Sequence, residues 1–200
     1  MEERAEKIVE FLEQRLLVEM EASGRHVHLS KEDALTLFGH NLTEKGPLSQ
    51  PGQFVAQERV VLKGAKGTLE RVAVLGPCRK ESQVEISLTD GVTLGIDAPI
   101  RLSGNTKGAP QCKVLGEKGS ISAPTIVAQN HLHLTPENAK LYGVKDGQHI
   151  SIRTLTRRPV RFDHVVVRVH ESFAPRVHLD YDEANACGFK KGDLGMMIRE

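Results

Sequence analysis

The chain is poor in the residues that mark several protein classes. It has three cysteines, Cys78, Cys112 and Cys187, and no Cys-x-x-Cys pair, which argues against a disulfide framework or a thiolate zinc site. Tryptophan is absent and aromatic residues make up only 4%, so the stacking platforms of many nucleic-acid-binding proteins are not expected. No apolar run approaches about 18 residues and no secretory signal is evident, so we expect no transmembrane helix, no membrane partner and a reducing, cytoplasmic location.

The charge balance and the apolar content describe an ordinary folded protein. Lys plus Arg number 27 and Asp plus Glu 26, giving a net charge of +1, which argues against a surface built for nucleic acid. Hydrophobic residues make up 39% of the chain, enough for a core. Five alternating, β-rich segments are separated by Gly, Pro or Asp-Gly: Gln57–Lys63, Gly67–Leu75, Gln83–Leu88, Ile150–Thr154 and His164–Val169. This pattern predicts a mainly β fold of barrels or sandwiches.

Residues 1–16 have a different residue pattern, which predicts an amphipathic helix. Apolar residues recur there at helical spacing, while glutamates occupy much of the opposite face. Such a helix could dock on a partner protein or pack on the protein's own barrel, and the sequence leaves both open.

A short pattern occurs three times and is the most informative internal repeat. It consists of His-Leu, a Ser, Thr or Asp, three further residues and Ala, and its copies are His28-Leu-Ser-Lys-Glu-Asp-Ala34, His133-Leu-Thr-Pro-Glu-Asn-Ala139 and His178-Leu-Asp-Tyr-Asp-Glu-Ala184. Ser30, Thr135 and Asp180 are good helix N-caps, so each copy predicts a strand that delivers a histidine just before a short helix.

A second repeat pairs Val61-Leu-Lys-Gly-Ala-Lys-Gly67 with Val114-Leu-Gly-Glu-Lys-Gly119, and Gly143-Val-Lys-Asp-Gly147 resembles Gly188-Phe-Lys-Lys-Gly192. These look like strand–turn units. Repeated small β units suggest a duplicated architecture, such as two related barrels.

Two copies of the first repeat carry a second histidine two residues earlier, at His26 and His131. Alternate side chains of a strand share a face, so each His-x-His pair can present two imidazoles to one metal ion of the zinc class. His178 in the third copy is a further candidate. The remaining four histidines lie outside the repeat and read as surface or partly buried residues: His40, His149, His164 and His170.

Imidazoles alone leave a metal site highly cationic, so a carboxylate is expected nearby. Spacing alone does not choose it, because four residues compete almost equally: Glu58, Glu81, Glu85 and Asp90. Arg79, at a predicted turn before a strand, could bind phosphate through its guanidinium, but the sequence alone favours an ordinary surface arginine. The same holds for Arg168.

Taken together, these residues match one family. The chain resembles the PduL-type phosphotransacylases, the phosphate propanoyltransferases associated with bacterial microcompartments. The stretches that carry the resemblance are Arg25-His-Val-His-Leu-Ser30, Pro47-Leu-Ser-Gln-Pro-Gly-Gln-Phe54, Val74-Leu-Gly-Pro77 with Arg79, Gln83-Val-Glu-Ile-Ser-Leu-Thr-Asp90, Leu94-Gly-Ile-Asp-Ala-Pro99, Gly143-Val-Lys-Asp-Gly147 and Asp182-Glu-Ala-Asn-Ala186. They span nearly the whole chain.

The resemblance implies two β-barrels capped by short α-helices. One barrel would be discontinuous, formed by residues 17–26 plus 129–200, and the other would comprise residues 27–128. In microcompartment members a short extension targets the enzyme into the shell, which residues 1–16 would do here. A homodimer is the default expectation on general frequency.

The resemblance also implies the site. Two Zn²⁺ ions would be held by six residues: His26, His28, Glu85, His131, His133 and His178. Arg79 would bind phosphate, and Arg168 matches a second active-site arginine. Three positions depart from the family pattern: Cys78 stands where an aliphatic residue is expected, Asn130 where Arg or a similar residue is common, and Tyr181 where Thr is more usual between Asp180 and Asp182.

The implied activity interconverts a short-chain acyl-CoA, either propanoyl-CoA or acetyl-CoA, plus phosphate with acyl phosphate plus CoA. We expect metal-assisted, direct attack of phosphate on the thioester, with no acyl-enzyme and no cysteine nucleophile. Two other functions compete on the same ligands. They are a binuclear metallohydrolase, in which water replaces phosphate, and a metal-stabilised β-barrel scaffold without catalysis.

Overall fold

The computed structural model of the protein describes residues 4, 6–7 and 17–198. The helix predicted over residues 1–16 lies outside the described residues, apart from positions 4, 6 and 7. Residues 17–198 contain fourteen strands and four short helices, so the predicted mainly β class is confirmed.

The secondary-structure elements follow in chain order. The strands are β1 (Leu17–Ala22), β2 (His26–Ser30), β3 (Glu44–Pro47), β4 (Phe54–Lys63), β5 (Thr68–Arg79), β6 (Gln83–Ile86), β7 (Ile100–Arg101), β8 (Gln111–Leu115), β9 (Ser120–Ala128), β10 (His131–Leu134), β11 (His149–Leu155), β12 (Arg161–Val169), β13 (Arg176–Leu179) and β14 (Leu194–Ile198). The helices are α1 (Lys31–Phe38), α2 (Leu88–Leu94), α3 (Pro136–Tyr142) and α4 (Tyr181–Cys187).

The chain divides into two compact units. The first unit runs up to Ser23 and resumes at Asn130, and the second comprises Gly24–Gln129. The division before Gly24 falls three residues earlier than the boundary expected after residue 26. His26 therefore belongs to the same unit as His28 and Glu85.

Each unit is a closed barrel of six strands. In the second unit the hydrogen-bonded order is β4–β5–β2–β6–β9–β8, and β8 pairs with β4 to close the circle. In the first unit the order is β11–β12–β10–β13–β1–β14, and β14 pairs with β11. The two β-barrels expected from the resemblance are thus present.

The two circles have the same sequence of parallel and antiparallel pairings. β2 pairs with β5 in parallel and with β6 antiparallel, as β10 pairs with β12 and β13. β6 then pairs in parallel with β9, as β13 pairs with β1. The strand that comes last in the second unit, β9, therefore has its counterpart in β1, which comes first in the chain. The two barrels thus share one topology, with a circular permutation of the strand order.

Each helix begins directly after a barrel strand because the residue before its first turn caps it. The side chains of Ser30, Thr135 and Asp180 accept hydrogen bonds from the backbone N–H three residues on, which confirms the three predicted N-caps. Ser87 caps α2 in the same way. All four helices end at a glycine with positive φ, a conformation that side chains with a Cβ rarely adopt.

The second sequence repeat forms two equivalent turns. Gly64 donates its backbone N–H to Gly67, and Gly116 donates to Gly119, which confirms the predicted strand–turn units. Lys66 N–H donates to the Leu94 carbonyl at the end of α2, and Lys118 makes the same bond to the end of α1. Each Gly-x-Lys-Gly turn thus satisfies an open helical carbonyl, and a Cβ at Gly64 would collide with the Leu94 backbone.

Each barrel encloses its own apolar core. The second unit buries residues such as Val27, Leu29 and Val84 from the histidine-bearing and glutamate-bearing strands, and the first unit buries Leu132 and Val177 in the same way. The intervening polar side chains of those strands are therefore directed to the other face. Among the described residues, no helix has both the length and the apolar character needed to cross a membrane.

Candidate functional site

The second unit brings His26, His28 and Glu85 together. β2 presents both histidines on the face opposite Val27, and the antiparallel register places Glu85 of β6 directly across from His26. All three residues are at least 95% buried. Their ligand-type atoms lie close: Nε2 of His26 is 3.1 Å from Nε2 of His28 and 3.5 Å from Oε2 of Glu85, and Nε2 of His28 is 3.6 Å from Oε1 of Glu85.

These separations suit a metal ion. Zinc binds nitrogen and oxygen at about 2.0–2.1 Å, so adjacent ligands of a tetrahedral ion are roughly 3.3–3.4 Å apart. The three separations of 3.1, 3.5 and 3.6 Å bracket that value. The ring nitrogen of His26 that faces away, Nδ1, lies 2.8 Å from the Gly24 carbonyl, which fixes the ring orientation as expected for a metal ligand.

Protonation within this cluster is strongly coupled. Burial lowers the pKa of His26, but the Glu85 carboxylate outweighs burial and raises the pKa overall. Burial and the neighbouring His26 hold the pKa of His28 well below its usual value. Burial would raise the pKa of Glu85, yet the two histidines keep it well below its ordinary range. Glu85 is therefore ionised, and a cation held between these groups would take the place of a proton on His26.

Ser103 links this cluster to Arg79. Its hydroxyl donates to Oε1 of Glu85 at 2.6 Å, and it accepts from Nη1 of Arg79 at 2.8 Å and from Nε2 of Gln83 at 2.7 Å. Gln83 also donates to Glu85 at 2.5 Å. A single hydroxyl thus orients both the carboxylate and the guanidinium.

A cavity of about 240 Å³ adjoins the same residues. Its lining includes His28 and Arg79, and the other lining residues come from the turn before β4 and from the end of β5: Pro51, Gly52, Gln53, Gly76, Pro77 and Cys78. The cavity gives a small anionic or acyl ligand access to the imidazole and the guanidinium together.

The first unit brings together His131, His133 and His178. His131 lies directly across from His178 in the antiparallel β10–β13 pair, as His26 lies across from Glu85 in β2–β6. In both clusters the ligand-type atoms lie within 4.8 Å of one another. The ring centroids of the three histidines are 4.6–5.0 Å apart.

Three ring nitrogens in this cluster are buried without a hydrogen-bond partner. They are Nδ1 and Nε2 of His133 and Nε2 of His178. Buried polar atoms are nearly always satisfied, so these nitrogens fit a site for a metal ion. Burial, together with positive charge at His131, His178 and Arg168, lowers the pKa of His133 to about 2, so this imidazole is the neutral donor that a metal requires.

Arg168 lies beside this second cluster. It is the direct neighbour of His133 in the parallel β10–β12 pair, and its guanidinium carbon is 5.7 Å from the centre of the Phe173 ring. The Phe173 ring in turn stacks on His133, with 4.1 Å between centroids. The aromatic ring thus supports both the arginine and the imidazole.

Reasoning from the residues alone did not choose Glu85, yet a signal for it was present. Glu85-Ile-Ser87 precedes α2 just as His28-Leu-Ser30 precedes α1, and Ser87 is the N-cap. The segment is a fourth copy of the repeat in which a carboxylate replaces the histidine. The competing acids have other roles: Glu58 accepts from Thr43 N–H, Glu81 is exposed and Asp90 belongs to the Ser87 capping box.

The residue before each His-x-His pair donates a hydrogen bond to the acidic side chain of a helix capping box. Arg25 makes two hydrogen bonds to Asp90 in α2, at 3.0 and 2.8 Å. Asn130 donates to Glu183 in α4 at 2.6 Å. Asn130 therefore keeps the hydrogen bond to the capping box but brings no positive charge to it. Burial raises the pKa of Glu183 to about 7.

The other candidates lie elsewhere. Within the described residues, neither cluster includes any of the four remaining histidines: His40, His149, His164 and His170. The three cysteines are unpaired, and burial raises the pKa of each thiol. None has the low pKa typical of a nucleophilic cysteine.

Comparison with known proteins points to one family. A family model for phosphate propanoyltransferase matches residues 19–190. The chain is 45% identical to a phosphate propanoyltransferase of Clostridioides difficile, over 100% of this chain and 98% of the relative. It is 49% identical to one of Listeria monocytogenes, over 92% of this chain and 88% of the relative. A Thermotoga maritima relative of the same name is 45% identical, over 88% and 86% of the two chains.

Proposed function

The chain belongs to the phosphate propanoyltransferase family, and on that premise we propose that it interconverts a short-chain acyl-CoA plus phosphate with acyl phosphate plus CoA. It is an acyltransferase, and propanoyl-CoA and acetyl-CoA are the substrates to test. The observation that carries the mechanistic part of the proposal is the pair of three-residue clusters, one in each barrel.

Both clusters have donor sets that suit zinc-class ions, two imidazoles with a carboxylate in one and three imidazoles in the other. The orphaned nitrogens of His133 and His178 and the separations of about 3–3.6 Å around Glu85 support metal binding at these positions. A bound zinc-class ion supplies Lewis acidity and a fixed template for an anionic substrate.

Arg79 binds the phosphate nucleophile in this proposal. Its guanidinium lines the cavity that also reaches His28, and the hydrogen bond to Ser103 holds its orientation. A planar guanidinium offers two parallel N–H donors to a phosphate, so it can fix the oxygens that do not attack. Binding in a partly enclosed cavity removes water that would otherwise solvate the nucleophile.

The reaction is a single acyl transfer. A phosphate oxygen forms a bond to the thioester carbonyl carbon, and the C–S bond breaks with the electron pair passing to sulfur. The proton of hydrogen phosphate is then available to the departing CoA thiolate, so no net proton is required. The role proposed for Arg168 is to stabilise negative charge that develops on the carbonyl oxygen. Contact with the Phe173 ring, 5.7 Å from the guanidinium carbon to the ring centre, supports its guanidinium.

A direct transfer also agrees with the state of the cysteines. Cys112 and Cys187 are fully buried, and burial raises the pKa of the half-buried Cys78 thiol. An acyl-cysteine intermediate would require an accessible, ionised thiol.

The test is release of free thiol from propanoyl-CoA and acetyl-CoA by the zinc-loaded protein, with and without phosphate. The proposal predicts release that requires phosphate, with acyl phosphate formed in equal amount. Release that is independent of phosphate would instead establish a hydrolase. No release with full metal occupancy would support a metal-stabilised scaffold. Recruitment to a microcompartment shell through residues 1–16 and a homodimeric state stay predictions.

A further inference from the structure

Glu21 is a carboxylate beside the three-histidine cluster that neither the repeats nor the family resemblance assigns. It lies on β1, directly across from His178 in the parallel β1–β13 pair. Its Oε2 atom is 3.4 Å from Nε2 of His178. That same nitrogen is one of the buried, unpartnered ring atoms of the cluster.

The distance between Glu21 and His178 fits ligands of a shared metal ion better than a hydrogen bond. A charge-assisted N–H···O bond is usually about 2.7–2.9 Å long, so 3.4 Å is too long for a good one. It does match the roughly 3.3–3.4 Å between adjacent ligands of a tetrahedral zinc ion. It also falls within the 3.1–3.6 Å range of the His26, His28 and Glu85 atoms.

The shared topology of the barrels places one carboxylate in the corresponding strand pair of each barrel. β6 carries Glu85, and its parallel neighbour β9 carries Ile126 at the paired position. β13 carries His178, and its parallel neighbour β1 carries Glu21 at the paired position. In each barrel, one residue of this pair is therefore acidic. It lies on β6 in the second unit and on β1, the counterpart of β9, in the first unit.

The charge balance points the same way. An imidazole carries no charge as a metal ligand, so a dication bound by three of them keeps its full charge of +2. Arg168, the strand neighbour of His133, adds a further positive charge. One carboxylate would reduce the charge at the metal to +1, as Glu85 does in the other cluster. We propose that Glu21 is a fourth protein ligand of the metal ion bound by His131, His133 and His178.

This inference rests on the metal dependence in the proposed function, and its test measures metal binding without any turnover. Zinc dissociation constants of the full chain are determined by competition with a chromophoric chelator, for the wild type and for Glu21→Gln. The matched control is Glu19→Gln. Glu19 lies two residues earlier on the same face of β1 and pairs with Arg176 at 2.9 Å, not with the cluster.

Glu21→Gln is expected to weaken one of the two zinc sites by about tenfold or more, while Glu19→Gln leaves both unchanged. In a His133→Ala background, where the cluster is already broken, Glu21→Gln should add little. If Glu21→Gln does not fold, Glu21→Asp retains the charge but shortens the side chain, and should still weaken one site.

Wild-type affinity at both sites in Glu21→Gln, or a full additional loss in the His133→Ala background, would overturn the inference. In that case two bound zinc ions in the wild type would leave the proposed function intact. A wild-type chain that binds no zinc would reject both the Glu21 ligand and the metal-assisted mechanism.

Discussion

Removing the Ser103 hydroxyl tests how Glu85 is coupled to Arg79, the residue proposed to bind phosphate. Ser103→Ala deletes the 2.6 Å bond to Glu85 and the acceptor, at 2.8 Å, for Arg79. Glu85 keeps the hydrogen bond from Gln83 at 2.5 Å, so the carboxylate remains partly oriented. We therefore expect reduced function in a folded protein.

Three hydrogen bonds are lost, and the magnitude follows from the two that join Ser103 to Glu85 and to Arg79. A hydrogen bond to a charged group contributes about 1.5–3 kcal/mol, but the Ser103–Glu85 bond also exists in the metal-free protein, so only part of it affects metal affinity. Loss of an orienting bond of this kind typically weakens metal binding by 10–100-fold, and we expect about tenfold here. The Arg79 bond is worth about 1 kcal/mol, which corresponds to a roughly fivefold higher KM for phosphate.

Two assays follow the two effects. Zinc affinity is measured by chelator competition, and initial rates of acyl transfer are measured as a function of phosphate at saturating zinc. Ser122→Ala is the control, because Ser122 is exposed and its hydroxyl lies 3.5 Å from Oε1 of Gln111. A Ser103→Ala protein within about twofold of wild type in both quantities would refute the reasoning, since such a bond should cost more than that.

Three further predictions address the arginine, the cysteines and the pH dependence. Arg79→Lys replaces a planar pair of donors by a point charge, so the KM for phosphate should rise about tenfold in steady-state assays with an unchanged thermal midpoint; an unchanged KM would contradict phosphate binding by Arg79. Replacing Cys78, Cys112 and Cys187 together by Ala should leave kcat within about threefold of wild type, because no thiol takes part in the transfer; loss of activity in a folded protein would contradict direct attack. Burial raises the pKa of Glu183 from 4.5 to about 7, so the stability that its neutral form contributes is present below pH 4.5 and is lost as the pH rises through 7. In the wild type, the free energy of unfolding should therefore decrease between about pH 5 and about pH 8.5. In Glu183→Gln this decrease should be smaller, by up to roughly 3 kcal/mol in denaturant titrations. An equal decrease in both proteins would show that Glu183 titrates normally.

Local sequence was sufficient for the parts of the fold that depend on neighbouring residues. The capping roles of Ser30, Thr135 and Asp180 were predictable because an N-cap satisfies backbone groups only three residues away. The His-x-His pairs were predictable for a similar reason, since strand alternation alone puts both rings on one face.

Glu85 was harder to identify because its side chain differs from those in the other copies of the repeat. The pattern was defined by histidine, so a copy with a carboxylate passed unnoticed even though Ser87 caps α2 as the pattern requires. A search for the strand–cap–helix unit without a fixed first residue would have found it. In this chain the spacing of the cap was a better guide than the identity of the ligand.

Ser103 and Glu21 could not be predicted from local sequence. Ser103 follows β7, and it meets Glu85 of β6 because β7 and β6 both pair with β9. Glu21 meets His178 because β1 takes the place of a final strand in the first barrel. Such contacts depend on which strands pair, and strand pairing between distant segments is not encoded in local periodicity.

The most direct test of the account is whether acyl transfer to phosphate depends on metal bound at these clusters. Metal-free protein, prepared with a chelator and shown to be folded, is titrated with zinc while acyl phosphate formation from propanoyl-CoA is followed. The account predicts no turnover without metal and full recovery at two zinc ions per chain. Undiminished, phosphate-dependent turnover in protein shown to contain no metal would contradict it.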